Sequence, residues 1–377
     1  MQKAESRLAT TIFLCGDVMT GRGIDQILRH PADPELHEPY VEDARQYVAL
    51  AEREHGRIER PVENTYIWGF GLEVLRKADP AVRIINLETA VTTGDTYWKD
   101  KGIHYRMSPE NVDCLTAARI DGCTLANNHV LDWGYRGLTE TLNWLHAVGL
   151  KTAGAGFDEE EAAAAAVLTS DVGNRILVFG LATLDSGAPP AWTAAADRPG
   201  ICFLPDLSDV SFRKTAKAIA ATRRNDSDIV VVSIHWGGNW GYAISDHQRT
   251  FAHRLIDEAD VDVVHGHSSH HVKGIEVYHG RLILYGCGDL ITDYEGISGH
   301  ERFRGELGLM YFPELEPATG ALRALHMQPT RMRRMQLCRP PDDDVDWLCN
   351  VLNREGRRLG TGALLGQDGM LELVWND

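Results

Sequence analysis

The chain has no Cys-x-x-Cys pair, and its seven cysteines (Cys15, Cys114, Cys123, Cys202, Cys287, Cys338, Cys349) are odd in number and scattered. This leaves out the paired-cysteine metal and redox motifs and gives no basis for a disulfide framework, so a reducing compartment is the simple reading. Long apolar runs are missing too. No window approaches the roughly 18 uninterrupted apolar residues of a membrane helix, and the stretch Leu8 to Cys15 has neither the length nor the cleavage signature of a signal peptide. The expectation is a cytoplasmic protein without a membrane anchor. Positive charge is in deficit: 38 Lys and Arg stand against 54 Asp and Glu, a net −16. In the mean field that balance repels phosphate backbones, so no nucleic-acid partner is expected. Nor is there a repeat or a linker that would divide the chain.

What is present is enough apolar residue, 44% of 377, to bury a sizeable core in one large domain or two ordinary ones. It is arranged in short aliphatic runs: Ala9–Cys15, Val82–Leu87, Cys123–Ala126, Ile176–Leu181, Ile229–Ile234 and Val261–Val264. Such runs read as buried parallel strands. Leu138, Leu142 and Leu145, and later Phe251, Leu255, Ile256 and Ala259, recur at helical spacing between them. Strand and helix alternate, which predicts a layered α/β fold. Around His279-Gly280 the pattern changes to a hairpin, so the sheet is mixed. Alanines 162–166 read as a plain helix. Residues 29–66 and 91–107 read as loop insertions over the edge where polar groups gather. The predicted organisation is one domain over 1–312, with an extension over 313–377 packed on the same domain, including a helical stretch near Val345–Leu352 and a last strand Leu371–Trp375.

Five polar signatures follow the strand-like runs: Cys15-Gly16-Asp17, Asn86-Leu87-Glu88, Asn127-Asn128-His129, Ile234-His235-Trp236 and Gly266-His267-Ser268-Ser269-His270. Singly, each has an ordinary explanation. Gly-Asp is a common turn, a carboxylate after a strand often caps the next helix, and a lone His at a strand end is usually a hydrogen-bonded core residue. Together they differ, because an open α/β sheet collects the carboxyl ends of its strands along one edge. Carboxylate, amide and imidazole ligands in one place suit one or two divalent ions of Mn, Fe or Zn. Asp132, three residues after His129, is placed to orient that imidazole.

At this point the chain resembles a known family. Gly16-Asp17-Val18-Met19-Thr20-Gly21-Arg22-Gly23, Asn86-Leu87-Glu88-Thr89, Leu125 through Gly134, Ser233 through Gly237, and Gly266 through His270 with Tyr285-Gly286-Cys287-Gly288-Asp289 look like the CapA poly-γ-glutamate biosynthesis family. The resemblance covers about residues 10–300. That family is similar to the calcineurin-like metallophosphatases, which implies a four-layer α/β/β/α sandwich of two mixed sheets flanked by helices, with a dinuclear metal centre. Carried over residue by residue, it implies Asp17 and His270 on one metal, Asn128, His235 and His267 on the other, Glu88 bridging both, and His129 as proton donor or transition-state stabiliser. The chain departs from metallophosphatases at Met19, where a His ligand is usual, at Glu88 for Asp, at Asn127 for Gly, and in the spacing of His267 and His270. CapA proteins generally share these changes. Asp289 is a further difference, since the family usually has Asn there.

The resemblance points to a metal-dependent hydrolase cleaving an amide or γ-glutamyl-type bond of a small or peptide-like carboxylate substrate. Arg22 and Arg106 are candidates to grip a substrate carboxylate, with Trp98 or Trp236 as an apolar wall; for either arginine a structural ion pair is the plainer reading. Two other functions fit the same residues: a phosphoesterase, by fold analogy alone, and a non-catalytic component of poly-γ-glutamate or capsule synthesis.

Overall fold

The computed structural model describes residues 9–99, 101–170, 173–225 and 227–376; Leu8, where the stretch weighed as a signal peptide begins, lies outside them. Two large sheets dominate. The first has 11 strands and runs, along its main path, Asp289–Ile291, Asp17–Val18, Val82–Leu87, Thr10–Cys15, Leu307–Leu315, Leu322–Met332, Leu371–Trp375, Thr361–Leu365. The second has seven strands in the order Phe203–Leu204, Arg175–Thr183, Ile229–His235, Val263–His267, Arg281–Leu284, Ile275–Tyr278, with Ala166–Thr169 against Arg175–Thr183.

Strand alternation explains how the sheets stack. Successive side chains point to opposite faces, so one strand can feed two cores. Ile12 and Leu14 pack with Ile176, Val178, Ile229, Val231 and Val263 in a core between the sheets. Phe13 and Cys15, from the same strand as Ile12, turn the other way into a core with Ile85, Leu87, Leu138 and Leu142. Leu177, Phe179, Val230 and Val232 form the third core with Phe212, Phe251 and Leu255. Helices Gly69–Ala78 and Gly134–Ala147 cover the first sheet, and Asp209–Thr222 and Asp246–Ala259 the second. This is the α/β/β/α sandwich of two mixed sheets.

The strands expected from apolar runs are found close to their limits, and Val82–Leu87 and Leu371–Trp375 match. The hairpin is Ile275–Tyr278 with Arg281–Leu284, turned at His279 and Gly280, both at positive φ. Alanines 162–166 are a correction. The helix is Glu159–Ala163, capped by the Asp158 carboxylate, and Ala166 already pairs with Val178 in a strand. Cross-strand pairing there outweighs the helix preference of alanine, which is the highest of any residue but yields to tertiary context. The strands after residue 313 continue the first sheet, and Val345, Leu348, Val351 and Leu352 of helix Asp342–Gly356 enter the core between the sheets. Among the described residues no helix is long and apolar enough to cross a membrane.

Candidate metal centre

The parallel strands of both sheets end at one rim, and every polar signature lies there. In the first sheet Asp17 pairs with Asn86 on one side and Asp289 on the other. Glycine permits this. A Cβ on Gly16 would stand 1.5 Å from the carbonyl oxygen of Gly288, so only bare backbone lets the two segments touch. The Asp17 N–H donates to Gly288 O at 3.0 Å. In the second sheet His235 lies opposite His267. Ser268, at φ 96°, turns the chain back, and its N–H donates to Asp17 Oδ2 at 3.1 Å across the gap between the sheets. A non-glycine residue in that conformation is strained, and such strain persists where its surroundings fix it.

The resulting cluster is buried and tight. His235 Nδ1 lies 2.8 Å from His267 Nδ1, His267 Nδ1 3.6 Å from Asp17 Oδ1, and His235 Nε2 3.0 Å from Asn128 Oδ1. Glu88 Oε1 is 3.9 Å from His235 Nε2 and 3.7 Å from His129 Nε2. On the other flank of Asp17, His270 Nδ1 is 2.9 Å from Asp289 Oδ1. Two groups therefore have ligand atoms all within 4.8 Å of one another, Asp17 with His235 and His267, and Asp17 with His270 and Asp289. Asn86 Nδ2 holds Asp17 Oδ1 at 2.7 Å, and Ser233 Oγ bonds His267 Nε2 at 2.8 Å.

Electrostatics fit a cation here. Burial, with Asp289 nearby, pushes the Asp17 carboxyl up to about 7, and burial together with Asp17 and Asp289 raises Glu88 well above its usual range. Burial drives His235 and His267 far down, leaving neutral imidazoles with lone pairs to offer. Burial alone would lower His270, but Asp289 and Asp17 outweigh it and raise it. Glu88 Oε2 and Asp289 Oδ2 are buried and accept no hydrogen bond from the described residues. Crowded carboxylates, neutral imidazoles and orphaned oxygens form the donor set that a divalent ion satisfies.

Beside the cluster, Asp132 accepts from His129 Nδ1 at 2.6 Å, from the Tyr105 N–H at 2.7 Å and from Lys101 Nζ at 2.5 Å; Lys101 also bonds the Asn128 carbonyl. Burial opposes ionisation of Asp132, but His129 and Lys101 hold its carboxyl below the usual range. The imidazole is thereby fixed with Nδ1 as donor and Nε2 toward Glu88.

The structure brings Asp17, Glu88, Asn128, His235, His267 and His270 together, with His129 and Asp132 adjoining. It corrects the expectation for the substrate contacts. Arg22 is consumed by a buried network: Nε and Nη2 donate to Asp293 at 3.1 and 2.5 Å, and Nη1 to Glu38 and to the Tyr47 hydroxyl at 3.0 Å each. Arg106 donates to the carbonyls of Gly94 and Asp33 and stacks over Trp133, which pins the 91–107 loop. Trp236 is core, stacked on Tyr285 and bonded to its carbonyl, and Trp98 packs between Tyr135 and Trp192. Sequence reasoning missed Asp289 as a ligand-grade group, although it follows a strand-like run in Gly-Asp just as Asp17 does. It missed Lys101, which carries no local signal, and gave no role to Asn86, although Asn86 opens the Asn86-Leu87-Glu88 signature.

Residues 11–294 match the family model described as bacterial capsule synthesis protein PGA_cap. A Mycobacterium tuberculosis protein named as a probable polyglutamine synthesis accessory protein is 47% identical over 364 residues, 97% of this chain and 96% of that one. The PGA biosynthesis protein CapA of Bacillus subtilis is 30% identical over 209 residues, 55% of this chain and 52% of its own. A solved structure described as a novel phosphatase of Mycoplasma pneumoniae aligns with TM-score 0.46 and 13% identity, covering 85% of this chain and 93% of that one.

Proposed function

This chain belongs to the PGA_cap family of bacterial capsule synthesis proteins, and from that premise we propose that it is a metal-dependent hydrolase cleaving an amide or γ-glutamyl-type bond of a small or peptide-like carboxylate substrate. The observation that carries the reading is the pair of buried ligand groups sharing Asp17, with unsatisfied carboxylate oxygens on Glu88 and Asp289. Asp17, His235 and His267, with Asn128, would hold one divalent ion; Asp17, His270 and Asp289 would hold a second; Glu88 stands between His129 and His235 to serve the first. Asp289 supplies the oxygen donor that Met19, a thioether, does not. When bound, such ions supply Lewis acidity and acidify water at neutral pH.

The chain's own groups do the rest. With Nδ1–H given to Asp132, His129 Nε2 carries the lone pair, takes a proton from water and returns it to the departing amine nitrogen, so the proton count balances. Lys101 and the Tyr105 N–H keep Asp132 in place, and the Tyr105 ring stands edge-on to His129 at 4.5 Å, which fixes the direction of Nε2. A second reading has support in one word of the Mycobacterium tuberculosis relative's name, accessory: a role in polymer synthesis without bond cleavage.

Metal analysis of purified protein, with hydrolysis of γ-glutamyl amides assayed beside aryl phosphates, separates the two. The proposal requires amide cleavage that follows metal content and disappears in Asp17→Ala and His235→Ala. A metal-loaded protein inert toward every γ-glutamyl amide tested sinks it, and phosphate-only turnover replaces it with phosphoester chemistry.

A further inference from the structure

The protein is acidic overall, with a net charge of −16, yet one cleft of about 570 Å³ is lined by Arg331, Arg333, Arg334, Arg339 and His55 and by no acidic residue. Arg333, Arg334 and Arg339 are exposed. Among the described residues, Arg331 has an ion pair, to Asp344 at 3.1 Å, while none forms at Arg333, Arg334 or Arg339. Arg331 Nε is buried without a partner. Such a concentration of guanidinium groups focuses positive potential locally, whatever the mean field.

The backbone that displays them is built at a cost. Arg333 and Gln336 exchange N–H···O bonds of 3.0 and 3.3 Å around a two-residue turn, Arg334-Met335, with φ of 54° and 56°. Turns of this kind ordinarily use Asn-Gly. Here Glu295 clamps the turn by accepting from the N–H groups of Arg334 and Met335 at 2.6 Å each, Tyr66 OH donates to the Arg334 carbonyl at 2.9 Å, and the Met335 side chain is fully buried. Glu295 is therefore occupied with the backbone of the turn and with His55, 3.5 Å away, rather than with arginine side chains. Strain retained in this way marks positions with a task.

The cleft shares two lining residues with a cavity that reaches the side of the metal centre. His55 and Arg331 line a neighbouring cavity of about 430 Å³ together with Trp240 and Tyr294, and its wall also carries Glu54, Glu295, Glu301 and Glu306. The rings of Trp240 and Tyr294 lie 5.3 and 5.2 Å from His270. Building on the hydrolase reading above, we infer that this arginine cleft holds successive α-carboxylates of a γ-linked glutamyl chain whose scissile bond lies at the metal centre. A γ-linked glutamyl chain leaves one free carboxylate on each residue, and the guanidinium fork matches a carboxylate with two parallel hydrogen bonds.

The test is fluorescence anisotropy with a short end-labelled poly-γ-glutamate, performed in the His235→Ala background so that the probe stays intact. The Arg333→Glu/Arg339→Glu pair is expected to weaken binding about tenfold or more, and added salt to weaken it in the parent, as for charge-assisted contacts to a polyanion. If that pair lowers the melting temperature, the Arg333→Gln/Arg339→Gln pair takes its place, both side chains being exposed. The inference is overturned if the parent does not bind the probe, if the variants bind as tightly as the parent, or if polyphosphate, single-stranded DNA or a chain amidated at every α-carboxylate binds as well. Binding that depends on the arginines in a protein that hydrolyses nothing would leave the cleft standing and remove the hydrolase reading alone.

Discussion

The two halves of the candidate metal centre share Asp17 but differ in character. On one side two imidazoles, His235 and His267, face Asp17, with the Asn128 oxygen 3.0 Å and Glu88 3.9 Å from His235; on the other a single imidazole, His270, faces the two carboxylates of Asp17 and Asp289. The first half is rich in nitrogen and nearly neutral without an ion, since burial strips the protons from His235 and His267. The second is rich in oxygen, and there Asp289 and Asp17 outweigh burial and raise His270 above the usual imidazole range. Borderline metals favour the first, and an ion entering the second must displace the His270–Asp289 contact. The two positions are thus expected to fill at different metal concentrations.

Substitutions test this difference in order of expected effect. Asp17→Ala removes the ligand common to both halves; bound metal falls to background and activity by roughly 10³-fold or more, given that residues merely supporting a ligand are worth 10–100-fold. His235→Ala strikes only the nitrogen-rich half and weakens its ion about 100-fold or more, so elemental analysis finds the other ion retained. His129→Gln lowers turnover by about 100-fold, in the range for a lost proton shuttle, with metal content unchanged. Asp289→Asn keeps an oxygen but loses its charge, and the oxygen-rich half weakens about tenfold in a metal titration while the first stays as it was. Equal losses from His235→Ala and Asp289→Asn would show that the halves act as one site.

The contrast also marks what the sequence could reveal. Asp17, Glu88, His235 and His267 are legible because each directly follows a buried parallel strand, and such strands announce themselves as continuous aliphatic runs. Asp289 is reached through a two-glycine segment whose role appears only when Gly16 and Gly288 are seen in contact. Arg22 sits within a signature but pairs with Asp293, 271 positions away, and a partner at that separation has no local trace. Trp236 follows His235 and so seemed part of the site, yet strand alternation turns it to the opposite face and into the core. The strand Leu307–Leu315, antiparallel to Thr10–Cys15, and Leu322–Met332, antiparallel to Leu307–Leu315 in turn, are equally invisible until pairing is known.

One consequence of the seating of these groups reaches beyond chemistry. Asp17, Glu88, Asn128 and Asp289 ride on one sheet, His235, His267 and His270 on the other, so any ion held between them is a rivet through the sandwich. Ligation would resist sliding of one layer over its mate, adding about 2.7 kcal/mol of resistance to unfolding when free ion exceeds its dissociation constant a hundredfold. Calorimetry with and without chelator would read that fastening directly, even in a preparation for which no substrate is at hand.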